Sequence, residues 1–127
     1  MNDITRARIT QVRTVGVPVQ DQDRALGFYV GKLGLEKRLD VPMGDGARWI
    51  EVGPPGAATT IALVARRAGE PCGTDTGIRL TTEDADAEHA SMQAQGVDTD
   101  EILRWPSAPP MFAFRDQDGN TLEIVEG

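Results

Sequence analysis

The chain has 127 residues and a mass of 13.7 kDa, which is the size of one domain rather than two. Apolar residues make up 39% and charged residues 26%, enough to build a core and too apolar for a disordered chain. The longest unbroken apolar run, Ile61–Ala65, is far shorter than the roughly 20 residues that cross a membrane. Thirteen Lys and Arg stand against twenty Asp and Glu, and the net charge of −7 repels phosphate backbones, so neither nucleic acid nor membrane is an expected partner.

The charge is unevenly spread. Residues 1–72 carry ten basic and eight acidic side chains, and residues 73–127 carry three and twelve. Such asymmetry suits a cationic ligand, one half docking on the other, or simple solubility. The first residues are charged and show no apolar signal segment, and the single cysteine, Cys72, has no internal partner. Both features fit a cytoplasmic protein.

In chain order, a short β-rich run from Arg13 ends at Asp21-Gln-Asp23. The two carboxylates suit the start of a helix, where they cap free N–H groups. Leu26, Tyr29, Val30 and Leu33 then fall at helical spacing, and Gly34 suits the left-handed stop. Strands are expected at Arg48–Val52 and Thr59–Ala65, with Gly44-Asp-Gly46 as a hairpin turn and Gly53-Pro-Pro-Gly56 as a break. In the first of these strands, Trp49 facing inward would put Arg48 and Ile50 on the other side.

The pattern repeats. Thr76–Thr82 leads to Asp84-Ala-Asp86, then a second helix, less apolar and Ala-rich, that stops at Gly96. Strands at Ile78–Thr82, Met111–Phe114 and Thr121–Val125 follow, the last two joined by Asp116-Gln-Asp-Gly-Asn120. That turn resembles a calcium loop but lacks the glycine at position six and the glutamate at position twelve. The expected order is β-α-β-β-β, twice.

A doubled unit of this kind, with Val17-Pro-Val-Gln-Asp21, Phe28-Tyr29, Leu33-Gly34-Leu35, Asp84-Ala-Asp86, Gly96-Val97 and Asp116-Gln-Asp-Gly-Asn120 followed by Glu123, resembles the vicinal oxygen chelate superfamily of glyoxalase I, extradiol dioxygenases and bleomycin resistance proteins. The likeness runs from about Ile9 to Val125. It implies an α+β fold of two βαβββ modules, at about 9–66 and 76–126 with a linker at about 67–75, forming one domain over 1–127. It implies curved mixed sheets around a cavity closed within one chain or, as is usual at this size, across a homodimer.

The resemblance also implies where a site would lie. Metal-dependent members carry a ligand on the first and last strand of each module. Those four places fall on Thr14, Ala62, Gly77 and Glu123, of which Glu123 alone has a ligating side chain. Three-to-four-donor zinc, nickel or iron sites cannot be built from that set, so no metal and no cofactor are expected. Glu123 is then a partner for Arg79, an anchor for a cationic ligand, or a general acid or base. Trp49, Trp105, Phe112 and Phe114 are expected to border the cavity and to favour planar or cationic molecules. Phe28 and Tyr29 are expected in packing, and His89 on the surface. The leading expectation is a metal-free small-molecule binder. The alternative is an enzyme of lyase, isomerase or dioxygenase type that uses Glu123 as acid, base or metal ligand.

Overall fold

The computed structural model describes residues 7–127. The first module runs β1 (Thr14–Val19), α1 (Gln22–Leu26) continuing as a π-helical stretch over Gly27–Lys32, β2 (Glu36–Gly44), β3 (Ala47–Gly53) and β4 (Thr60–Ala65). The second runs β5 (Asp75–Thr82), α2 (Ala85–Ala94), β6 (Asp98–Thr99), β7 (Met111–Arg115) and β8 (Thr121–Glu126). Each module forms a four-stranded mixed sheet, ordered β1-β4-β3-β2 and β5-β8-β7-β6. Its first strand lies parallel to its last, and the remaining pairs are antiparallel. The doubled βαβββ order is therefore present.

Local chemistry explains the elements. Asp21 and Asp84 cap the two helices, their carboxylates accepting from the N–H groups of Arg24 and Ala87. Gly34 and Gly96 both adopt φ near +77°, a conformation that costs glycine nothing and other residues about 1 kcal/mol or more, and the helices end there. Two strands escape the sequence reading. β2 is an edge strand rich in Lys, Arg, Asp and Pro, half or fully exposed along its length, so it shows no apolar alternation. β6 is two residues long.

Alternation fixes which way each sheet faces. Val17 and Val19 of β1, Ile50 and Val52 of β3, Ile61 and Leu63 of β4, Phe112 and Phe114 of β7, and Leu122 and Ile124 of β8 are all buried in one continuous core. The helices fill it: Phe28, from the first module, stacks on Phe114 of the second with ring centroids 6.4 Å apart. The helix-bearing faces of the two sheets thus share one core. The opposite faces, carrying Thr14, Trp49, Glu51 and Ala62 on one sheet and Arg79 and Glu123 on the other, look away from that core.

The Asp116–Asn120 turn locks the modules together. Buried Tyr29 donates its hydroxyl to Asp116 Oδ2 at 2.7 Å. Fully buried Asn120 donates to the Pro18 carbonyl and accepts from the N–H groups of Gly73 and Thr74. Asp118 accepts from the N–H of Gln20. Burial of the Tyr29 hydroxyl beside the Asp116 carboxylate holds its pKa far above the usual tyrosine value, so it stays a donor.

Candidate functional site

The four positions singled out by the resemblance do not form a metal-binding set. Thr14 Oγ1 already donates to the Thr60 carbonyl at 3.2 Å. Ala62 has no donor and is buried. Gly77 has φ +72° and lies where the β5–β8 register breaks between Asp75 and Arg79. Glu123 pairs with Arg79 across parallel strands, Oε1 to Nε at 3.0 Å. The donors needed for zinc, nickel or iron(II) are three or four imidazoles and carboxylates. Among the described residues no three His, Cys, Asp or Glu lie grouped to supply them, and one carboxylate already held by a guanidinium does not fit such a metal.

The aromatic residues separate. Trp49 is half-buried on the outer face of the first sheet, as the alternation with buried Ile50 requires. Its indole N–H donates to Glu51 Oε2 at 2.8 Å. Trp105 is 53% exposed on the 100–110 loop. Phe112 and Phe114 correct the expectation that they border a cavity. Both are buried on the core side, where Phe112 meets the His89 ring edge-on at 4.9 Å and Phe114 meets Phe28. The strand period puts every second residue of β7 inward, and the helices claim those places. His89, half-buried on α2 against Phe112, has Nε2 2.9 Å from the Asp100 carbonyl. Cys72 lies in the linker with its thiol toward the Pro18 carbonyl, and burial pushes that thiol up, away from the reactive thiolate.

Glu51 was not among the residues the sequence singled out. It sits at the centre of β3, directly across from Ala62 on β4, and is 6% exposed. Trp49 bonds one carboxylate oxygen and the Thr60 hydroxyl bonds the other at 2.8 Å. The Trp49 hydrogen bond, opposed by desolvation and aided by Thr60 and the charge of Arg13, holds the carboxyl below its ordinary range. A signal was present: Arg48-Trp-Ile-Glu-Val52 places an acid in the middle of an apolar strand, where it must be satisfied.

A groove of about 870 Å³ lies between the edge strands β1 and β5. Val15, Leu35, Ile78 and Leu80 give it apolar walls, and Gly16, Thr60, Gly77 and Arg79 reach it from the strands. Of the residues proposed from sequence, Gly77 and Arg79 line this groove, and Trp49, Trp105, Phe112, Phe114 and Glu123 do not.

Two four-stranded mixed sheets, each with a parallel first-to-last strand pair and one helix, define a class of paired βαβββ proteins. The family model for the Glyoxalase/Bleomycin resistance protein/Dioxygenase superfamily matches residues 9–124, and the chain belongs to that superfamily. Among solved structures it is similar to TnmS3, an antibiotic binding protein from Streptomyces sp. CB03234, with 36% identity, a TM-score of 0.85 and coverage of 95% of this chain and 98% of that one. A superfamily member from Sphaerobacter thermophilus DSM 20745 gives 35% identity and a TM-score of 0.87, over 94% and 98%. The Bacillus subtilis (strain 168) protein YetH is 32% identical over 124 residues, 93% of this chain and 99% of YetH.

Proposed function

We propose that this chain is a small-molecule-binding protein of the glyoxalase/bleomycin-resistance type. In this reading it works without a metal and holds a planar or cationic organic ligand in a cavity completed by a second copy of the chain. The observation that carries the reading is the donor set. At the four family positions stand a hydroxyl already bonded to the backbone, an alanine, a glycine and a carboxylate already paired with Arg79. Catalysis through Glu123 would need that carboxylate free to exchange a proton, and its partner is 3.0 Å away. The likeness to TnmS3, an antibiotic binding protein, supports binding over turnover.

The dimer is supported by the way the sheets face. Within one chain the helix-bearing faces share one core, and in this reading the opposite faces, with Trp49 half-buried and Arg79 exposed, are where a second copy docks. A thermal-shift screen tests the ligand class: planar amines and heteroaromatics should raise the melting temperature, and a uniform preference for small anions would point to Arg79 as anchor instead. Elemental analysis of untagged protein tests the metal: less than about a tenth of an equivalent of nickel, zinc or iron is expected, and a stoichiometric amount would overturn the reading.

A further inference from the structure

Resting on the planar-ligand reading above, we propose that Glu51 anchors a cationic or N–H-donating group of the ligand, with the Trp49 indole as the fixed flat wall beside it. The argument starts from the charge. Glu51 is 6% exposed as a residue, so little water reaches its carboxylate, and its two donors hold it in the ionised form. Trp49 and Thr60 each give one hydrogen bond, at 2.8 Å, while a carboxylate offers about four acceptor sites. No Lys or Arg among the described residues forms an ion pair with it, although Arg13 lies near enough to be felt. Glu123 differs on this point, since Arg79 already compensates it.

Position supports the same assignment. Thr60, whose hydroxyl holds Glu51, also lines the groove between β1 and β5. In the sheet register the residues between that groove and Glu51 are Gly16 and Ala62, which pair with each other and, through Ala62, with Glu51. Neither carries a side chain beyond Cβ, so this row of the sheet puts no long side chain between the β1 edge and the carboxylate. The indole is fixed by the bond it donates, so it is pre-oriented and loses little freedom when a flat cation stacks on it. An amidinium or protonated heteroaromatic amine supplies both features: a donor pair for the open carboxylate sites and a ring for the indole.

The test uses benzamidinium, its neutral isostere benzamide, and the intact protein. Binding is followed by the Trp49 indole N–H resonance, assigned by its loss in Trp49→Phe. Benzamidinium should shift that resonance and bind at least roughly tenfold more tightly than benzamide. Glu51→Gln, whose amide can still accept from Trp49 and bond Thr60, should abolish the preference, and Glu123→Gln should leave it in place. A preference that survives Glu51→Gln, or that disappears in Glu123→Gln, overturns the assignment and leaves the ligand class standing. Benzamidinium binding without a Trp49 shift also overturns it. Should Glu51→Gln fail to fold, the wild-type comparison decides: preference together with the Trp49 shift supports the anchor, and absence of either overturns it. If no planar amine or heteroaromatic binds the wild-type protein, the planar-ligand reading falls and the anchor with it.

Discussion

Asn120 shows how one side chain can hold two modules. Its amide N–H groups reach Pro18 and Asp116, and its carbonyl takes the N–H groups of Gly73 and Thr74, all in a fully buried site. Removing the amide orphans buried groups on both sides, and each orphan costs about 1–3 kcal/mol. Asn120→Ala should therefore lower stability by about 2–4 kcal/mol, seen as a fall in melting temperature on the order of 10 °C. The surface pair Arg79–Glu123, with side chains 66% and 33% exposed, is a contrast. Breaking it should change stability by less than about 1 kcal/mol, because solvent screens exposed pairs. A melting curve of Asn120→Ala that overlays the wild type would remove the turn from its role as inter-module lock.

At the scale of elements, the β2–β3 hairpin carries its own charge network. Arg48 on β3 bonds Asp40 on β2 through Nε and Nη2 and reaches Asp23 in α1, while Lys37 adds a second bond to Asp40. The Arg48 hydrogen bonds, with help from Lys37, lower the Asp40 carboxyl from 3.8 to about 2. Because the folded value is the depressed one, the linked stability is complete above the ordinary value near 3.8 and is lost as the pH falls through about 2. Asp98 and Asp100, held low by Arg115, act in the same direction on the β6–β7 pair. Carboxyl NMR should give Asp40 a midpoint near 2 in the wild type and one that moves toward 3.8 in Arg48→Met. A midpoint unmoved by that substitution would mean the guanidinium is not what holds it.

For the whole molecule, charge and exposed apolar side chains bear on assembly. The first 72 residues are slightly basic and the rest strongly acidic, and Val41 and Met43 stand exposed at the end of the edge strand β2. Exposed apolar side chains of this kind gain from burial against another chain. Sedimentation at micromolar concentration should show a dimer, with an interface well over about 1,000 Å² and weakened by salt to the extent that the opposite charges drive it. A monomer under those conditions would sink the proposal of a shared cavity.

What was legible in the sequence was whatever the backbone's own periods and caps determine. Asp21 and Asp84 as caps, Gly34 and Gly96 as stops, and the alternation in β3, β7 and β8 each require one residue type at one local geometry, so they are visible without neighbours. β2 was hidden because an edge strand answers to solvent rather than to a core. The face each side chain presents belongs to the tertiary structure. Phe112 and Phe114 read as cavity residues until the packing of Phe28 and His89 places them in the core. Glu51 read as one strand acid among several until the approach of Thr60 from β4, paired nine residues away, enclosed its carboxylate. Strand period decides that Trp49 and Glu51 share a face. Only the pairing of β3 with β4 and of β5 with β8 decides that Glu51 is buried with no ion-pair partner among the described residues while Glu123 is half-exposed and neutralised by Arg79, because burial and charge compensation come from partners distant in the chain.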